Sequence, residues 1–413
     1  MPKWMQYLSH LFRAYDEGIQ DEDKPGATPR FRFLAIFVEV WGLMALVLGG
    51  IRLAMPGFWH SQVQNGPLAC VAAYVMFGLL VGGPGEWFFH RFGLHRLLAF
   101  RGLSWLRIVP ETGPNAFVRG CKRAANSITI SVVYYIARMA FGHGAHHKIT
   151  DVTPINPDRL SELFQAINKY EITKNRQTED AVFPHFSVLG FWAAFTPLAI
   201  GLQAIVDAIS RLPGVHLPHL PIVLAGIASM GVHVWLYETS HAIMHRPFAE
   251  WWLPRIKSPI FGWFYSYVYR FHFFHHMNES CSLGVVGSVW FCYIWDRIFG
   301  TYKLARLSLI ESASKVQADV LEMSQDELKM LPGARPEDFE APGPKRRWIA
   351  YLDEQAIRSQ GIWNGLFVAC LKEVRRRAAA EVTAAVRLAP APLPTPTVPM
   401  PKAGKRKRVA AIE

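Results

Sequence analysis

The sequence predicts an all-α integral membrane protein: about four transmembrane helices in two hairpins, with a dinuclear metal site gathered at one membrane face. Three observations predict it. Four segments are apolar over about eighteen residues or more. Basic residues concentrate between and outside the hairpins, and ten of the sixteen histidines fall into four tight clusters. Of 413 residues, 51% are hydrophobic and 13% aromatic, which is apolar for a water-soluble chain.

Residues 1–32 are polar, with an amphipathic pattern at Trp4, Leu8, Leu11 and Phe12, and read as a cytosolic or interfacial arm. The first span covers residues 33–55, interrupted only by Glu39 and Arg52, and follows no cleavable signal core. Residues 56–66 connect it, without Lys or Arg, to a second span at 67–89. At about 1.5 Å per residue each crosses a hydrocarbon core of roughly 30 Å. The second hairpin is 187–205 and 220–237, whose linking loop has Arg211 as its single basic residue. Residues 90–186 instead carry Arg91, Arg96, Arg101, Arg107, Lys122 and Arg123, among others. The excess of positive charge places both termini and this middle segment on the cytoplasmic side.

The stretch 127–141 is apolar but too short for a span, and it is expected at the interface or against the site. Residues 259–269 and 288–299 are aromatic-rich and short, which suits helices at headgroup depth. A catalytic region of 33–305 is followed by a charged helical extension, 306–388, broken at Pro332 to Pro336 and Pro342 to Pro344. Residues 389–413 form a Pro/Ala-rich basic tail, expected to be disordered and drawn to anionic headgroups. The net charge of +12 is thus assigned to membrane surface and topology, with no nucleic-acid partner. Five scattered cysteines without a C-x-x-C pair argue against a thiolate site or a disulfide framework.

The chemistry lies in the histidines. His272, His275 and His276 share one helical face, and His143, His146 and His147 repeat the spacing. His241 and His245 are an i, i+4 pair. His90 and His95 are five apart, about 140° on a regular helix, and converge only at a helix end or π-bulge. Convergent neutral imidazoles are costly to bury unless something accepts their lone pairs, and the usual acceptor is a transition metal. Imidazole alone suits Fe, Zn, Cu or Ni. Ten ligands exceed one ion and divide sensibly over two. Adjacent histidines project about 100° apart, so one cluster serves both ions.

Metal-bound histidines donate their second N–H to a carboxylate or carbonyl. Glu86, four residues before His90, and Glu238, three before His241, are the candidates, with Asn278, Asp151 and Asp296 behind them. His10, His60, His216 and His219 read as surface or loop residues; His185 and His233 are within reach but are not assigned to the site.

With Trp295-Asp-Arg-Ile-Phe-Gly-Thr-Tyr302 after the last cluster, the pattern resembles the fatty acid hydroxylase (sterol desaturase) superfamily of membrane di-iron enzymes. Glu86 to His95 and His143 to Lys148 most resemble its fatty acid 2-hydroxylase branch. The resemblance implies a cytosolic helical cap enclosing two iron ions held by the ten histidines, with zinc able to substitute. It implies O2 as cosubstrate, a lipid from the bilayer as substrate, and hydroxylation or desaturation of its chain. Electrons are expected from a separate donor (a b-type cytochrome, ferredoxin or reductase), since no fused haem domain is expected from this sequence. A sterol or carotenoid hydroxylase or desaturase is the alternative. Outside that class stand a metal transporter or sensor and a relative holding structural zinc. About 47 residues separate His95 from His143, longer than the family pattern, and Asn278 to Gly284 departs from its Asn-x-Asn-aromatic-Gly reading.

Overall fold

Backbone N–H and C=O groups must be satisfied internally wherever water is absent, and long apolar helices do this. In the computed structural model the described residues are 29–95, 106–147, 187–215, 217–284, 292–318, 320–343 and 346–356, with short stretches between 365 and 380. They are helical, with no strand among them. Four helices are long and apolar enough to cross a membrane: Ile36–Ala54 within α1 (Pro29–Ala54), α3 (Gly66–His95), α5 (Ser187–Ser210), and Ile222–His241 within α6 (Ile222–Met244). A short α2 (Pro56–Val63) joins the first two. The second and fourth run several residues beyond the ends expected from hydropathy, and the added turns carry histidines.

Helix α3 is not a regular α-helix. Two π segments, Gly78–Gly82 and Phe89–His95, flank Gly83–Phe88. Pro84 accounts for the first. In a π turn the donor five residues on would reach Leu79 O, but proline has no N–H. The orphaned Leu79 carbonyl instead accepts the indole N–H of Trp295, at 2.9 Å.

Helix α6 is the most enclosed of the four and packs against α5, α1 and α3. Its core neighbours include Val40, Met44, Ala73, Phe77, Phe195 and Ala199. Close approach depends on small residues, as in membrane bundles generally. A Cβ on Gly226 would lie 3.0 Å from Phe77, and one on Gly85 would collide with the Phe195 ring. Gln203 Oε1 caps α6 by accepting Ile222 N–H at 2.9 Å, and Trp192 donates to Ile227 O. At the hairpin turns Asn65 donates to His219 O at 2.7 Å, tying the two loops together. Outward faces carry exposed Val38, Leu46, Leu53, Leu68, Val71, Ile200 and Ile205, a surface suited to hydrocarbon.

Helix α4 (Ala116–His147) absorbs the apolar stretch at 127–141 into 32 residues. After α6, a π turn (Phe248–Trp252) and α7 (Leu253–Ile256) lead into α8 (Gly262–Met277), the histidine helix. Next come α9 (Cys292–Phe299), α10 (Leu307–Val316), α11 (Gln325–Lys329) and a helix, α12, over residues 347–356. Leu309, Ile310, Val320, Leu321 and Leu328 share one core with Phe273, Phe274 and Met277 of α8. Residues 307–339 are therefore packed on the histidine helix rather than standing apart from it. Residues 372–413 form a separate unit, in which Glu373 bonds Arg376 and Arg377 at 2.7 Å each.

Candidate metal centre

The site grows from the C-terminal ends of four helices. The second π segment of α3 resolves the five-residue spacing of His90 and His95. Its hydrogen bonds run i→i+5, so residues five apart lie about one turn apart. The two rings stack, with centroids 5.0 Å apart and planes at 18°. Helix α6 presents His241 and His245 on one face, with ring centroids 5.3 Å apart. Helix α4 ends in His147, and α8 delivers His272, His275 and His276.

These eight rings form two sets. His90, His95, His147 and His275 make the first, and His241, His245, His272 and His276 the second. Within each, one ring nitrogen per residue lies within 4.8 Å of all the others. Helical geometry explains the division along α8: His272 and His276 share a face, while the neighbouring His275 points to the other set. All eight are buried except His95, which is partly so. Of the ten predicted ligands, His143 and His146 lie on α4, but their side chains, like the whole of residue Asp151, fall outside the described residues.

Loop carbonyls orient the first set. His90 Nδ1–H donates to Leu283 O at 2.6 Å, and His275 Nδ1–H donates to Cys281 O at 2.8 Å. A carbonyl only accepts, so each ring must carry its proton on Nδ1, leaving the Nε2 lone pair for the set. His95 Nδ1 faces Glu279 Oε2 at 3.3 Å. Burial holds His275 well below the usual imidazole range, with the His90 charge acting in the same direction, so it is a neutral donor.

The Trp295-to-Tyr302 box fixes that loop. Asp296 is fully buried and accepts Leu283 N–H at 3.1 Å, Gly284 N–H at 2.9 Å and the Thr301 hydroxyl at 2.6 Å. Burial pushes its carboxyl up to about 6 against those three donors. Thr301 Oγ1 accepts the Trp87 indole N–H at 2.9 Å, which joins the box to α3. Between them Ser282 stands at φ 50°, a left-handed conformation uncommon for a side-chain-bearing residue. It is held there by Ser282 N–H to Thr301 O at 2.8 Å and Ser282 Oγ to Lys303 O at 2.6 Å.

Both expected carboxylates, Glu86 and Glu238, are buried, and both lie within electrostatic reach of Tyr237. The Tyr237 ring is 5.0 Å from that of His241 and 6.4 Å from that of buried His233. His233, Tyr237, His241 and His245 thus form an i, i+4 column down α6. Asn278 does not reach a ring among the described contacts; its Oδ1 accepts Ser280 N–H at 3.1 Å. The residues that sequence reasoning missed are Glu279, Arg91 and the carbonyls of Cys281 and Leu283. Glu279 adjoins the sequence candidate Asn278, but no local spacing points it at His95.

Nitrogens bound about 2.1 Å from one ion lie at most about 4.2 Å apart. Four nitrogens arranged tetrahedrally about 2.1 Å from an ion lie about 3.4 Å apart, so each set would draw inward to hold one. His245 Nε2 and His272 Nε2 already lie 2.9 Å apart, and His95 Nε2 and His275 Nε2 3.3 Å. Two four-imidazole sets that share α8 fit a pair of metal ions. Comparison of the chain with protein-family models, curated proteins and solved structures finds no match.

Proposed function

We propose that the chain is a membrane-bound oxygenase that places one iron ion in each imidazole set and hydroxylates a C–H bond of a lipid. The observation that carries this reading is the pair of buried four-imidazole sets sharing α8 at the ends of apolar helices. When bound, two iron ions would supply activation of O2 for attack on an unactivated C–H bond.

The chain's own residues do the rest. Leu283 O and Cys281 O hold the Nδ1 protons of His90 and His275, and Glu279 Oε2 faces His95 Nδ1. The burial of the rings keeps water from the reaction. Helices α3 and α6 carry apolar spans that end in the sets, an arrangement that would let an acyl chain enter from the bilayer without crossing water. The cytoplasmic side is assigned to the site and both termini from the basic residues around it. Electrons are delivered there by a separate protein. Hydroxylation or desaturation of a sterol or carotenoid would use the same residues. A transporter would place its ligands near the bilayer midplane, whereas these histidines sit at helix ends and on α8.

The test is metal content per chain of detergent-purified protein, wild type beside His276→Ala and His147→Ala, with spectra of oxidised and reduced samples. About two redox-active irons in the wild type, with one lost in each variant, are expected. A folded wild type that takes up no metal overturns the reading. Zinc that iron cannot replace overturns the oxygenase and leaves a structural centre.

A further inference from the structure

The two sets are not built alike. The second draws three of its rings from regular α-helices and the fourth, His245, from the C-cap of α6, so that i, i+4 spacing aligns His241 with His245 and His272 with His276. The first depends on a π segment, a rare conformation that persists where its surroundings support it. It also depends on the loop whose carbonyls orient two of its rings.

One guanidinium joins these parts. Arg91, beside the ligand His90, is 3% exposed, and its Nε and Nη2 donate to Asp353 Oδ1 and Oδ2 at 3.1 and 2.7 Å. Its remaining Nη1 donates to Ser280 O, in the loop itself. The charge lies 5.8 Å from the ring centroids of both Trp87 and Phe92. A buried arginine in this setting needs its carboxylate, and a two-bond pair fixes direction as well as distance. Asp353 comes from α12, 262 positions away in the sequence. Ile349 and Ala356 of α12, both fully buried, pack with Trp87, Phe92 and Leu283. Leu283 is the residue whose carbonyl holds His90.

We propose that residues 346–356 form a strap that locks the first imidazole set through the Arg91–Asp353 pair. The ion held by His90, His95, His147 and His275 depends on this strap, and the ion held by the second set does not. The inference rests on each set holding one ion and is independent of oxygen chemistry.

The experiment follows release of zinc to a coloured chelator from the full-length, detergent-purified, zinc-loaded protein. Wild type, Asp353→Asn, Asp353→Glu, His90→Ala and His276→Ala are compared. The two histidine variants assign the two release phases, since each abolishes one. In Asp353→Asn the phase absent from His90→Ala is expected to accelerate about 10- to 100-fold, the usual scale for losing a group that orients a ligand. The other phase is unchanged, and Asp353→Glu restores part of the loss. Should Asp353→Asn fail to fold, Arg91→Lys carries the same test, because it keeps the buried charge and loses the paired bonds. Two unchanged phases, or two equally accelerated ones, overturn the strap. A wild type that binds no zinc overturns the premise of two ion sites and the strap with it; two sites that hold zinc but take up no redox-active iron overturn the oxygenase alone.

Discussion

The imidazole rings of His147 and His276 lie stacked, with centroids 4.2 Å apart and planes 16° from parallel, although His147 belongs to the first set and His276 to the second. The sets therefore meet through a ring face, and removal of either of these two rings is felt by the other. Residues in contact are seldom additive. In metal titrations His276→Ala is expected to abolish the second site and to weaken the first by about tenfold. A first site of unaltered affinity would refute this coupling.

Glu279→Gln removes the carboxylate facing His95 Nδ1 but keeps the length of the side chain. Affinity at the first set should fall about 10- to 100-fold, with the second set unchanged. Competition against a chelator of known affinity reads both constants.

Asp296 gives the protein a pH signature. Its folded carboxyl is pushed from 3.8 to about 6 by burial, so between those values the folded state binds more protons than the unfolded one. Stability contributed by the protonated form is full below about pH 4 and is lost as pH rises to about 6, on the order of 3 kcal/mol in all. Asp296→Asn removes this slope. It also turns an amide N–H2 toward the N–H groups of Leu283 or Gly284, costing about 1–3 kcal/mol for each donor left unsatisfied. Thermal unfolding of both proteins from pH 4 to pH 7 measures slope and offset.

Gly262 opens α8, and a Cβ there would collide with the carbonyl oxygen of Ile256. A backbone oxygen cannot rotate aside as a side chain can. Gly262→Ala should cost about 3 kcal/mol, the upper part of the range for overpacking. Because α8 carries rings of both sets, both ions should be held more weakly, in contrast to the one-sided effect of Glu279→Gln. Unfolding midpoints and metal content check the two halves.

The four spans were legible because hydropathy is a property of each segment alone, and the histidine pairs because helical spacing is local. The same local logic anticipated a π-bulge between His90 and His95. It also gave Asp296 only a minor place, because the work of that residue is done through backbone groups of Leu283 and Gly284, which no residue type announces. Glu279 went unread because it faces His95 of another cluster, 184 positions away, and not a ring of the cluster it follows. The Arg91–Asp353 pair lay further out of reach: residues 306–388 read as a charged extension, and no periodicity links position 353 to position 91. Long-range pairing of single side chains leaves no pattern along the chain.

The π segment at Phe89–His95 has one more consequence. A π turn is an α turn with one residue inserted, so five residues on the first are the spatial counterpart of four on the second. His90–His95 and His241–His245 are then the same device written with different lengths. Each stands at the end of the second helix of a hairpin, and each is followed along the chain by a His-x-x-His-His segment closing a helix, at 143–147 and at 272–276. The chain runs through one plan twice. The two histidine pairs differ by a single inserted residue in α3, and the first set is the one whose wider turn needs support from elsewhere.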